Sequence, residues 1–219
     1  MTAKIIAVIN RKGGCGKTTI SMMLGGAIAN KKKKVLVADG NSEQGSAIRW
    51  ASVASSDKPF PADVVEIGDT TDQIHNELRK YIYDYDFIIV DCPPTAQSVI
   101  GESVLLVADL AIVPVEPNPL DIWGTVGIKK LIGEMVIKNI GLKSRLLINK
   151  CNPNTRLTKD VLEIISDFGI ELFNTKIHKR TVYAEAPAIG GIVHDLGYKA
   201  KEAIQEIDQL TKEVIKILK

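Results

Sequence analysis

Residues 12–19 read Lys-Gly-Gly-Cys-Gly-Lys-Thr-Thr, between the apolar run Ile-Ile-Ala-Val-Ile at 5–9 and a segment of helical character at 20–28. A strand, a glycine-rich turn and a helix in that order form a phosphate-binding loop, which restricts the chain to few folds. Gly13, Gly14 and Gly16 allow backbone conformations closed to residues with a Cβ, so successive N–H groups can face phosphate oxygens. The following helix presents its positive end to the same anion. Lys17 would reach the β- and γ-phosphates, and the Thr18 hydroxyl would ligate Mg²⁺, with Cys15 and Thr19 completing the loop. The expected ligand is therefore a nucleoside triphosphate with Mg²⁺. The loop departs from G-x-x-x-x-G-K-[ST] in one respect: Arg11 stands at the first glycine, and Lys12 adds a second lysine.

The rest of the chain alternates short β-branched runs with helical stretches. Strands are expected at 5–9, 35–38, 64–67, 87–90, 110–115, 146–148 and 172–177. Helices are expected at 18–30, 46–54, 72–81, 122–136 and 159–168. The apolar strands read as buried on both faces, as in parallel sheets. The alternation predicts an α/β fold: a doubly wound, mostly parallel sheet flanked by helices, with right-handed crossovers. With 219 residues and no linker or repeat, one domain spanning 1–219 is expected. Its last segment, 198–219, spaces Ile204, Ile207, Leu210, Val214 and Leu218 at helical intervals. Its polar positions mix both signs and it lacks interfacial Trp or Phe, so packing on the core is favoured over a membrane anchor.

The formal net charge of +2 implies no polyanion partner by itself, but its distribution is uneven. No acidic residue lies between Glu134 and Asp160, where Lys138, Lys143, Arg145, Lys150, Arg156 and Lys159 fall. Lys176, His178, Lys179 and Arg180 form a second acid-free group. The four lysines at 31–34 read more simply as cations closing a helix C-terminus. Three cysteines without metal-ligand spacing fit a reducing compartment. No signal peptide or membrane-spanning run is visible, so a soluble intracellular protein is expected.

Two further strand ends carry chemistry. Residues 87–91 form an apolar strand ending in Asp91, the Walker B arrangement, in which this carboxylate holds a Mg²⁺-bound water across from Thr18. Asp39 ends the neighbouring strand likewise and is the second carboxylate expected to hold the metal through water.

The loop resembles the deviant Walker A motif, K-G-G-x-x-x-K-[TS], of the ParA/MinD family of ATPases. The resemblance runs from Lys4 to about Leu196. It includes Asp39-Gly40-Asn41-Ser42-Glu43-Gln44-Gly45-Ser46 where the family carries D-x-D-P-Q-x-S, and Arg180-Thr181-Val182-Tyr183-Ala184-Glu185-Ala186, similar to its R-x-x-Y-x-E-A stretch. The proline-bearing segment 108–121 is also similar to its counterpart in small ParA proteins. The overall pattern is closest to the small, plasmid-type (type Ib) members.

The resemblance implies a functional scheme. Lys12 crosses a dimer interface to the partner's ATP, and Lys12, Lys17, Asp39 and Asn41 form the catalytic set. Asn149, at the end of a strand, pairs with adenine. The ATP-bound homodimer binds non-specific double-stranded DNA, and a ParB-type centromere-binding adaptor stimulates hydrolysis and release. A cytoplasmic, nucleoid-associated protein without stable membrane association follows. The cargo is expected to be a plasmid or chromosome. The alternatives are a MinD-like or cargo-positioning ATPase on another surface, or, further off, a metabolic P-loop enzyme. Lys150, Arg156, Lys179 and Arg180, with Lys199 and Lys201 behind them, are the DNA-binding candidates.

Asn41 stands where the family has its second aspartate, which positions the attacking water. An amide orients water but cannot take its proton. Slow hydrolysis is expected, unless Glu43 supplies the missing carboxylate.

Overall fold

A computed structural model describes residues 2–41, 45–68, 73–94, 99–152 and 169–219, with the side chains of 119–123 outside that description. Glu43, Arg156 and the helix expected at 159–168 lie outside the described residues.

Among the described residues, six strands form one parallel sheet: β1 (Lys4–Val8), β2 (Val35–Asp39), β3 (Asp63–Glu66), β4 (Phe87–Asp91), β5 (Leu110–Val115) and β6 (Lys143–Ile148), in the order β3-β2-β4-β1-β5-β6. The helices among the described residues are α1 (Lys17–Ala29), α2 (Ser46–Ser52), α3 (Ile74–Leu78), α4 (Val99–Leu105), α5 (Pro119–Lys138), α6 (Val182–Glu185) and α7 (Lys201–Ile217). Two 3₁₀ segments, Ala186–Ile189 and Val193–Ala200, join α6 to α7.

Strand side chains alternate between two apolar layers. Ile6, Val8, Val37 and Ile89 face Ile20, Leu24 and Ile28 of α1 and Ile207, Leu210 and Val214 of α7. Ile5, Ala7, Leu36 and Val90 face Ile74, Val104, Ile128 and Ile132 of α3, α4 and α5. Burial on both faces explains why β2, β4 and β5 read as continuous apolar runs. Helix α1 lies very close to the sheet: a Cβ at Gly25 would come within 2.6 Å of Val37 Cγ2. The C-terminal helix buries its apolar stripe in the same layer. Among the described residues, no helix is long and apolar enough to cross a membrane.

The strand expected at 172–177 does not form. The segment runs beside β6, where Phe173 N–H donates to Leu146 O at 2.9 Å and Ile177 N–H to Ile148 O at 2.9 Å. Between those points the ladder is broken, because the Asn174 and Thr175 N–H groups donate to the Glu213 carboxylate at 2.9 and 2.8 Å. A side chain on α7 has taken the donors that a seventh strand would need. Helix α3 is shorter than the expected 72–81, and α4 was not foreseen. The expected helix at 18–30 and the strands at 110–115 and 87–90 match α1, β5 and β4 to within a residue or two.

A candidate nucleotide site at the sheet edge

The glycine-rich loop leaves the C-terminal end of β1, between β4 and β5, and enters α1 at Lys17. Lys17 is buried, and its Nζ donates to the Lys12 carbonyl at 2.9 Å, which folds the loop over its own lysine. Asn10 steadies the loop's entry: its Oδ1 accepts from Lys12 N–H at 3.2 Å, and its Nδ2 donates to Pro114 O at 2.8 Å. Gly16 is left-handed (φ 94°), and a Cβ there would fall 2.3 Å from Asn149 Nδ2. No other residue fits that turn. Lys12 is exposed at the loop's mouth.

The Thr18 hydroxyl donates to Asp91 Oδ2 at 2.6 Å and the Ser21 hydroxyl to Asp91 Oδ1 at 3.3 Å. Burial pushes the Asp91 carboxyl up to about 7. The Asp39 charge adds to that effect, while the Thr18 hydroxyl, Lys17 and Ser21 oppose it. Asp39 is fully buried beside it. Its Oδ1 accepts from Asn41 N–H at 3.1 Å, and its Oδ2 from Ala47 and Ile48 N–H at 2.8 and 3.3 Å. Asp39 thus caps α2 and stands beside Asp91, its register partner on β4. A cleft of about 320 Å³ runs along the loop, lined by Gly13, Lys17, Thr18, Asn41, Asp91 and Lys150 among others.

These residues fit a Mg²⁺–triphosphate. A backbone cradle that a Cβ would fill and the start of a helix face the phosphates. A hydroxyl and a carboxylate already in contact offer the oxygen donors that Mg²⁺ prefers. When bound, the ion offsets phosphate charge.

A second pocket of about 360 Å³ adjoins the first and is lined by Gly16, Asn149, Lys150, His178, Arg180 and Tyr183 among others. Asn149 has a structural task here: its Nδ2 donates to Cys15 O at 2.7 Å and its Oδ1 accepts from Lys150 N–H at 3.0 Å. The amide expected to meet adenine therefore also braces the phosphate loop against β6.

Sequence reasoning missed Glu206. Its buried carboxylate gathers His178 Nδ1 at 2.8 Å, Arg180 Nη2 at 2.8 Å and the Tyr183 hydroxyl at 2.8 Å. Burial, then the Glu206 charge, pushes the Tyr183 phenol up. A signal was available: Glu206 lies on the apolar stripe of α7, between Ala203 and Leu210. A carboxylate there must meet partners.

Four of the six DNA candidates line one open groove of about 560 Å³: Lys179, Arg180, Lys199 and Lys201. Arg180 also pairs with Glu202, Lys199 pairs with Glu185 at 2.6 Å, and the Lys201 amine lies 5.9 Å from the Tyr198 ring centroid. Lys150 is elsewhere, against the phosphate loop, and Arg156 lies outside the described residues.

The family model for the CobQ/CobB/MinD/ParA nucleotide binding domain matches residues 6–192. Maintenance of carboxysome distribution protein A of Halothiobacillus neapolitanus is 33% identical over 210 residues, covering 96% of this chain and 95% of that protein. Sporulation initiation inhibitor protein Soj of Bacillus subtilis is 26% identical over 228 residues, covering 85% and 88% respectively. Among solved structures, the Cyanothece McdA(D38A)–ATP complex gives a TM-score of 0.78 at 15% identity, covering 99% of this chain and 96% of that one. MinD of Pyrococcus horikoshii with Mg-ADP gives 0.73 at 20% identity, covering 97% and 96%. At those identities the two structures speak to the fold alone.

Proposed function

The chain belongs to the CobQ/CobB/MinD/ParA nucleotide-binding family, as a ParA/MinD-type ATPase, and from that premise we propose that it is a positioning ATPase working over the nucleoid. ATP and Mg²⁺ join two copies through Lys12. The dimer holds non-specific double-stranded DNA, and an adaptor on the cargo stimulates hydrolysis and so releases it. The observation that carries this reading is the groove in which Lys179, Arg180, Lys199 and Lys201 come together beside the nucleotide pockets. Lys179 and Arg180 line both that groove and the pocket holding Asn149. Nucleotide and polyanion would therefore meet the same short segment.

A protein body is favoured as cargo, because the relative from Halothiobacillus is named for carboxysome distribution and matches nearly end to end. A plasmid or chromosome, carried through a ParB-type adaptor, is the second reading. It is favoured by Soj and by a Protein ParA of Rhizobium radiobacter, 23% identical over 199 residues. The MinD-like membrane cycle loses its usual support here, since α7 has its apolar side in the core.

The test is binding to random-sequence duplex DNA with ATP analogue, ADP or no nucleotide, at two salt concentrations. Binding should require the triphosphate and fall steeply with salt, because phosphate contacts release counterions. Charge reversal of Lys179 and Lys201 together should abolish it. Binding that ignores nucleotide, or survives both reversals, would overturn the DNA arm.

A further inference from the structure

The geometry points to Lys150 as a cation of the nucleotide site rather than of a DNA surface, with Glu116 holding it in place. This deepens the nucleotide reading and rests on it. Lys150 follows β6 directly, and its backbone is left-handed (φ 51°), a conformation that a long side chain rarely takes. Such strain persists only where the surroundings over-determine it. Here they do: Asn149 N–H donates to Val115 O at 2.8 Å and Cys151 N–H to Ile177 O at 3.0 Å, pinning the chain on both sides.

The kink sends the Lys150 side chain back over the phosphate loop. Its Nζ lies 2.5 Å from Gly14 O and 2.8 Å from Glu116 Oε1. It lines both the phosphate cleft and the adjoining pocket, and its Cε would meet a Cβ on Gly16 at 4.0 Å. With Lys17, whose Nζ donates to Lys12 O at 2.9 Å, it sets two ammonium groups against carbonyls of the same turn of chain. A backbone carbonyl and a half-exposed carboxylate hold an ammonium only moderately, whereas a triphosphate in the cleft offers it a stronger, charge-assisted partner. Lys150 would move from Glu116 to the nucleotide by a rotation of its side chain, with the backbone already placed.

The variant Lys150→Gly keeps the left-handed turn and deletes the ammonium. With a fluorescent ATP analogue and Mg²⁺, its Kd should rise about tenfold, the loss expected for one charged hydrogen bond. Its melting temperature should hold or rise, since glycine relieves the backbone. Lys150→Arg should restore binding to within about threefold of wild type, and DNA binding at saturating nucleotide should be unchanged in both. An analogue Kd unaltered in Lys150→Gly would overturn the inference. So would loss of DNA binding at saturating nucleotide. Wild-type protein that binds the analogue but never DNA would sink the groove reading and leave this one standing. Wild-type protein that does not bind the analogue would sink the nucleotide reading itself.

Discussion

Asp39 and Asp91 are register partners on the adjacent parallel strands β2 and β4, both buried, yet their carboxylates do different work. Asp91 takes hydroxyls from Thr18 and Ser21, while Asp39 takes backbone N–H groups from the start of α2. The first arrangement is poised for a ligand. The second also holds the fold, so removing Asp39 costs structure as well as chemistry. Asp39→Ala should lower stability by about 1–2 kcal/mol through the lost cap, read as a shift in urea midpoint without nucleotide. An unshifted midpoint would mean that the cap contributes nothing.

Lys12 should decide assembly. Wild-type protein with a non-hydrolysable ATP analogue and Mg²⁺ should double its mass by light scattering, and Lys12→Ala should remain monomeric while still binding nucleotide. A Lys12→Ala protein that dimerises as wild type does would remove the crossing lysine from the scheme.

Asn41 lines the same cleft as Asp91, and if the attacking water stands there, an amide cannot accept its proton. Asn41→Asp should raise single-turnover hydrolysis by about tenfold or more, toward the range of general-base effects. If Glu43 instead supplies the carboxylate, Glu43→Ala will lower the rate. No gain from the first change and no loss from the second would leave both ideas without support.

Glu206 neutralises Arg180 and receives His178 and Tyr183 from one short segment. Among the described residues, Glu206→Ala leaves Arg180 with only the exposed Glu202 as ion-pair partner. It should destabilise the protein by about 3 kcal/mol, the scale for breaking a buried ion pair from one side. Glu202→Ala, which removes an exposed partner, should cost little by comparison. Equal losses from the two variants would show that burial is not the source of the effect.

The Tyr85 hydroxyl donates to Asp63 Oδ2 at 2.9 Å, and its phenol is pushed up to about 12, by burial first and then by Asp63. The unfolded chain releases that proton near pH 10 and the folded chain only near 12. The folded state therefore holds the extra proton between those values, and stability falls as pH rises through them. Tyr85→Phe should flatten that alkaline decline. In ultraviolet titration, Tyr85→Phe should show one late-ionising phenol fewer than wild-type protein.

Whatever depends on short-range pattern was legible in the chain. The run 12–19 between a strand and a helix announces a phosphate loop, because only glycines allow that turn and only a following helix supplies its dipole. Asp91 was legible for a similar reason: four apolar residues buried on both sheet faces place a terminal carboxylate at the ligand edge. The cargo was not legible in this way, because the motifs read in the chain concern a nucleotide and its metal.

The readings that failed or stayed open involve partners distant in sequence. Residues 172–177 have strand composition, but Glu213 takes their donors from a helix about forty residues later. Lys150 sits among basic residues in the sequence, yet its backbone turn carries it to Gly14, and Glu206 finds three partners between 178 and 183. Periodicity and loop chemistry act within a few residues and are written in order along the chain. A carboxylate's choice of partner is settled only when folding brings remote groups within about 3 Å, where directional, short-range hydrogen bonds form.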